Sequence, residues 1–127
     1  GHVTGVAGDK ALVERAGDNA ARNGLTNAEF HLADLSDGFE GAAWARQSYD
    51  KVLLDPGRAG AAGVVSHLGR WGPQRVVYVS CNPSTLARDT REIVEGQGYR
   101  LAAAGVMDMF PHTAHVESLA VFERAKA

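Results

Sequence analysis

Short strand-like runs alternate with stretches of helical spacing along nearly the whole chain, and this alternation constrains the fold more than any other feature. Val3–Ala7 reads as a strand stopped by Gly8 and Asp9. Lys10–Asn23 follows, with Ala11, Leu12, Val13, Ala16, Ala20 and Ala21 at helical spacing. Asp9 suits its N-cap and Gly24 the residue past its end. Ala28–Ala33 reads as a second strand, Asp34–Gly41 as a polar loop and Ala42–Gln47 as a short helix. Lys51-Val-Leu-Leu-Asp55 is a compact apolar strand ending in an acid, and Arg75-Val-Val-Tyr-Val-Ser80 is another buried strand. Between them, Ala59–Gly69 is expected to be helical despite its glycines. A helix is expected from Asn82-Pro83 to about Gly96. Tyr99–Met107 and Leu119–Arg124 complete the strands. This order predicts βαβ units and a mostly parallel α/β sheet. The last two strands have no helix between them and predict an antiparallel ending.

Composition narrows the function classes. A chain of 127 residues with 45% hydrophobic and 22% charged residues can bury one core but not two. A net charge of -2 and a pI near 6.2 provide no global basic field, so affinity for RNA needs a local patch or parts outside this chain. The single cysteine forbids an internal disulfide and any metal site built on several cysteines, and it fits a reducing, cytoplasmic compartment. No apolar run approaches the ~20 residues that span a bilayer, and no secretory signal pattern is present, so no membrane partner is expected. Gly1 and His2 read as a tag-cleavage scar, which makes residues 3–127 a piece of something longer.

Open α/β sheets bind ligands beyond the carboxyl ends of their strands. Three such ends carry polar groups: Ala7-Gly8-Asp9, Asp55-Pro56-Gly57-Arg58 and Ser80-Cys81-Asn82-Pro83. They are expected on one rim. Cys81 directly precedes a helix start, where Asn82 serves as cap and Pro83 needs no amide partner. The positive end of a helix favours an anion beside it, and a thiolate is the nucleophilic form of cysteine. From position alone Cys81 is equally well a nucleophile or a small packing residue. Arg58 is a candidate for a phosphate or for an ion pair. His112 and His115 have the spacing of a metal pair, but no third ligand type lies nearby, so they are expected to pack a loop or orient a carboxylate. Arg88 and Asp89 read as a solvated or ion-paired helix face.

Ser80-Cys-Asn-Pro-Ser-Thr-Leu-Ala-Arg-Asp89 resembles the nucleophile motif of the S-adenosylmethionine-dependent RNA uracil-C5 methyltransferases. Val52-Leu-Leu-Asp-Pro-Gly-Arg-Ala-Gly60 resembles a second motif of that family, and Met107-Asp-Met-Phe-Pro-His-Thr-Ala-His-Val-Glu-Ser118 its C-terminal one. The likeness spans Val3 to Arg124. It implies a Rossmann-like class I methyltransferase fold, with Cys81 as the thiolate that adds to uracil C6 and Glu117 as the base that removes the C5 proton. It implies Asp34 on the cofactor side, Asp55 at the cofactor or the target base, and Arg58, Asn82 and Pro83 on the substrate side. The cofactor implied is S-adenosylmethionine and the partner ribosomal RNA, with transfer RNA as the alternative.

This sequence departs from the family pattern at one position inside the likeness. An acid for the cofactor ribose is expected where Ala7 stands. The family's glycine-rich first strand and loop would precede Val3, as would an RNA-binding barrel and the cysteines of an iron–sulfur cluster. Residues 3–127 therefore correspond to the C-terminal part of the catalytic domain. The resemblance implies a half-site without turnover of its own, and unpaired strand edges that favour a homodimer. Two other readings stay open: a non-catalytic module that binds RNA, cofactor or partner, and a Cys/His hydrolase using Cys81 with His112 or His115.

Overall fold

A computed structural model describes residues 1–36, 38–107 and 117–125. The chain divides into two compact units, Gly1–Arg46 and Gln47–Ala127.

In the first unit, β1 (Val3–Ala7) and β2 (Ala28–Leu32) pair in parallel and α1 (Lys10–Arg22) connects them. The predicted punctuation of α1 is present. One oxygen of Asp9 accepts the amides of Ala11 and Leu12 at 2.8 and 3.3 Å, and Gly24 turns the chain at φ 68°. A 3-10 turn, Ala43–Arg46, buries Trp44 against Phe39, with ring centres 5.4 Å apart.

The second unit holds β3 (Lys51–Leu54), β4 (Arg75–Ser80), β5 (Tyr99–Met107) and β6 (Glu117–Arg124) in the order β3-β4-β6-β5. β3 and β4 are parallel, and β6 runs antiparallel to both of its neighbours. The expected antiparallel ending is present, with the reversed strand inserted between β4 and β5. Glu123 sits opposite Arg75 on one side and Arg100 on the other and forms an ion pair with each. This charge triplet across three strands favours the observed register. Among the described strands, β1 pairs only with β2 and β3 only with β4.

The core of this unit is Val65, Leu68, Val76, Tyr78, Ile93 and Phe122, all fully buried. α4 (Pro83–Arg91) continues into a π turn at Glu92–Gly96, as long as the sequence suggests. The single helix expected over Ala59–Gly69 is instead two short ones, α2 (Ala62–Val65) and α3 (Leu68–Trp71). Neither has a side-chain cap, and the β-branched pair Val64-Val65 and Gly69 weaken a continuous helix. α2 also starts late, because Arg58–Ala61 is held elsewhere.

Phe122, in β6, is fully buried in the core of this unit. Phe122→Ala is expected to lower the unfolding free energy by about 3–5 kcal/mol. Urea denaturation checks this through a lower midpoint.

Candidate active site

The site in the second unit is built on the carboxyl ends of the parallel neighbours β3 and β4. The register pairs Leu54 with Tyr78, so Asp55 leaves β3 level with Val79 and is exposed to solvent. β4 ends at Ser80, which is buried. Its Oγ accepts the Asn82 amide at 3.0 Å and donates to the Asn82 carbonyl at 2.9 Å. This tight local turn bends the chain out of the strand and into α4. Cys81 lies on the bend and is half-buried.

The antiparallel ladder of β4 with β6 ends at the pair Ser80 and Ser118. Cys81 and Glu117, the half-buried first residue of β6, are the next residues beyond that pair on each chain segment, at the same end of the ladder. Residues 36 apart in sequence thus lie at one rim. This placement could not be read from the sequence, because it depends on where β6 inserts.

α4 holds the loop that follows Asp55. Asn82 caps the helix through Oδ1, which accepts the Ser84 amide at 3.1 Å, and its Nδ2 donates to the Arg58 carbonyl at 2.9 Å. Thr85 Oγ1 donates to the same carbonyl at 3.2 Å. Arg88 donates to the Ala59 carbonyl at 3.0 Å, and Asp89 accepts the Ala61 amide at 2.8 Å. Positions 82, 85 and 89 share one helix face at the 3.6-residue repeat. Gly60 lies under this face at φ 80°, and a Cβ there would come within 2.8 Å of Asp89. Pro83 is the exposed first residue of the helix. The Arg58 side chain is exposed, and no described residue pairs with it.

Asp89 differs from its sequence reading. It is only 2% exposed and accepts the Tyr78 hydroxyl at 2.5 Å as well as two bonds from Arg88 at 3.0 and 3.1 Å. It is ion-paired, as one reading allowed, but it is not solvated. Burial first, and then the bond to the Asp89 carboxylate, push the Tyr78 phenol far above its ordinary range.

In the first unit, β1 and β2 are parallel, so Ala7-Gly8-Asp9 and Ala33-Asp34 share a rim. Asp34 is exposed, and one of its oxygens accepts the amide and hydroxyl of Ser36 at 2.9 and 2.5 Å. Those bonds hold its carboxyl below the usual range. Ala7 and Leu12 line a shallow apolar cleft with Val13 and Phe30. His112 and His115, and most of the C-terminal motif, lie outside the described residues. Among the described residues no group of three or more His, Cys, Asp or Glu side chains is placed to hold a metal ion.

The family described as tRNA (Uracil-5-)-methyltransferase matches residues 13–125. The chain belongs to this family. Two relatives are each named 23S rRNA (uracil(1939)-C(5))-methyltransferase RlmD. The one from Alcanivorax borkumensis is 59% identical over 126 residues, covering 99% of this chain and 28% of that protein. The one from Methylococcus capsulatus is 60% identical over 124 residues, covering 98% and 28%. The chain therefore spans about a quarter of the length of these relatives. Magnesium protoporphyrin IX methyltransferase (ChlM) from Synechocystis PCC 6803, solved with bound SAM, superposes with a TM-score of 0.70 at 17% identity, covering 98% of this chain and 60% of that one. That likeness and others of its kind show a Rossmann-like methyltransferase fold.

For this family member the buried Tyr78–Asp89 pair has a pH signature. An unfolded tyrosine ionises at about pH 10, whereas folded Tyr78 keeps its proton to higher pH. The folded state then binds more protons, so stability falls as pH rises above about 10. Urea denaturation between about pH 9 and 11 should show this slope, and Tyr78→Phe should remove its share.

Proposed function

We propose that this chain is the C-terminal part of the catalytic domain of a longer RNA uracil-C5 methyltransferase, with a uridine of 23S ribosomal RNA as substrate. The observation that carries the reading is the β4–β6 ladder, whose last pair, Ser80 and Ser118, leaves Cys81 and Glu117 at the same end. Membership of the family and the names of the 59–60% identical relatives support it. Transfer RNA is the alternative substrate, since the family description names it. The bacterial relatives and the lone half-buried cysteine fit a cytoplasmic enzyme, and no described helix is long and apolar enough to cross a membrane.

S-adenosylmethionine, when bound, supplies a methyl group on a sulfonium. The residues present fit it in part. The exposed Asp34 offers an acceptor for an adenine amino group, and Asp55 offers a carboxylate on the rim of the second unit. Ala7 has no acid for a ribose, and one oxygen of Asp9 is committed to the amides of α1.

Uracil C5 is a weak nucleophile. The Cys81 thiolate adds to C6, forming a carbon–sulfur bond and moving the C5–C6 π pair towards C5 and O4. C5 can then accept a methyl cation equivalent. Glu117 removes the C5 proton, the freed pair re-forms the C5–C6 double bond, and Cys81 leaves as thiolate. Arg58 faces the RNA backbone, and Asn82 and Pro83 shape the floor beneath the base. A flipped-out uridine costs a few kcal/mol of stacking, least in a loop. The edges of β1 and β3 that pair with no described strand support pairing between copies of this chain.

Two experiments on the full-length enzyme test this. Glu117→Gln is expected to slow turnover by about 10²–10⁴-fold and to accumulate a protein–RNA adduct on ordinary RNA, read by mass spectrometry. Cys81→Ala should form no adduct even with 5-fluorouridine RNA. An adduct on another residue would sink the mechanism, and unchanged RNA binding with no adduct in the wild type would favour the binding module. Ala7→Glu is expected to tighten S-adenosylhomocysteine about tenfold in isothermal titration, because it restores a charged acceptor.

A further inference from the structure

The loop Arg58–Ala61 is anchored almost wholly by side chains of one helix face. Asn82 and Thr85 hold the Arg58 carbonyl, Arg88 the Ala59 carbonyl and Asp89 the Ala61 amide. Every one of these bonds is to the loop backbone. The Arg58 side chain itself is exposed, with no partner among the described residues. Asp89 is the node of the arrangement, because it is the buried member. It joins the loop to Tyr78 of β4, two residues before the bend at Ser80, and fixes Arg88 over the Ala59 carbonyl. The helix that carries this face begins directly after Cys81.

We propose that Asp89 is a positioning residue: it locks the Arg58 loop onto α4 and so sets the Arg58 side chain in place beside Cys81. This rests on the catalytic reading of Cys81 given above. Asp89 touches no reacting atom and acts only through the loop. Gly60 belongs to the same device. Its left-handed backbone and the 2.8 Å approach of Asp89 leave no room for a side chain, so Gly60→Ala displaces the loop from the other direction.

The test is covalent trapping by 5-fluorouridine RNA in the full-length enzyme, following the initial rate at saturating RNA. Asp89→Asn keeps the size of the side chain and removes its charge. It is expected to slow trapping at least tenfold, with the KM for S-adenosylmethionine changed less than twofold. Gly60→Ala should do the same. The deciding readout is a double-mutant cycle with Arg58→Ala. If Asp89 acts through Arg58, Asp89→Asn adds no more than a twofold loss in the Arg58→Ala background. Losses that multiply show general destabilisation and overturn the proposal, as does trapping by Asp89→Asn at the wild-type rate. If Asp89→Asn fails to fold, Tyr78→Phe removes one bond to the same carboxylate and should give a smaller loss, about threefold, with the same non-additivity. A multiplicative or absent effect in that variant also overturns it. A wild-type enzyme that forms no adduct at Cys81 overturns the catalytic reading and this proposal with it. An adduct in the wild type and in Asp89→Asn at equal rates overturns the positioning role alone.

Discussion

The second unit depends on one reversed strand. β6 enters between β4 and β5 and runs against both. A strand laid parallel to β4 would begin at the opposite rim, where the amino ends of the strands lie. Only because β6 is reversed does its first residue, Glu117, lie at the rim where β4 delivers Cys81. Cys81 and Glu117, the two groups of the proposed reaction, thus reach one end of the ladder through strand direction, not sequence proximity. The ladder also fixes their alignment. A slip of one residue would turn Phe122 out of the core and break the pairing of Glu123 with Arg75 and Arg100. The proposed site and the packing of the core therefore depend on the same register.

The charges of this protein divide by environment. Lys10–Glu14 and Arg91–Glu95 are exposed helix pairs one turn apart, of a kind that contributes about 0–1 kcal/mol. Asp89 is different. Its carboxylate is removed from water, and it is supported by a phenol, a backbone amide and a guanidinium. Burying such a group has a large desolvation cost, and an apolar pair of similar volume could stabilise the fold as well. Removing one partner alone is another matter, since it leaves a buried donor or charge without compensation, at about 3–5 kcal/mol. Such a group contributes less to net stability than to holding one arrangement of the loop and the helix against all others.

Much of this was legible in the sequence. Apolar runs and caps located every strand, α1 and α4, because those signals are local: Asp9 and Asn82 each cap as expected. Cys81 at a strand-to-helix junction was equally visible. The failures are non-local. The Ala59–Gly69 segment carries enough alanine and valine to suggest one helix, but its first residues are held by α4, some 25 positions on, and the helix starts late. Asp89 looked like surface because a carboxylate on a polar helix usually is. Its burial depends on Tyr78, and β4 reads as uniformly apolar, with no sign that the hydroxyl faces a partner. A polar residue at the spacing Asn82, Thr85, Asp89 was the available signal. It marks a helix face with work to do, though not what lies under it.

The way the loop is held bears on how it functions. A loop anchored by its own side chains has fewer left to meet a ligand. Here the anchors come from α4 and take hold of main-chain atoms only, so the loop can be fixed while the Arg58 guanidinium stays available. The cost is moved to the helix, which commits Asn82, Thr85, Arg88 and Asp89 to support. On the reading proposed above, this division lets a chain with a net charge of -2 serve an RNA substrate. What matters locally is a guanidinium carried on a loop whose backbone is already held, because a segment fixed before binding loses less freedom when it binds. A general basic field acts at longer range and is screened by salt beyond about 10 Å. On the reading proposed above, recruitment of RNA is left to other surfaces, while this rim contributes the Arg58 cation and the Cys81 side chain.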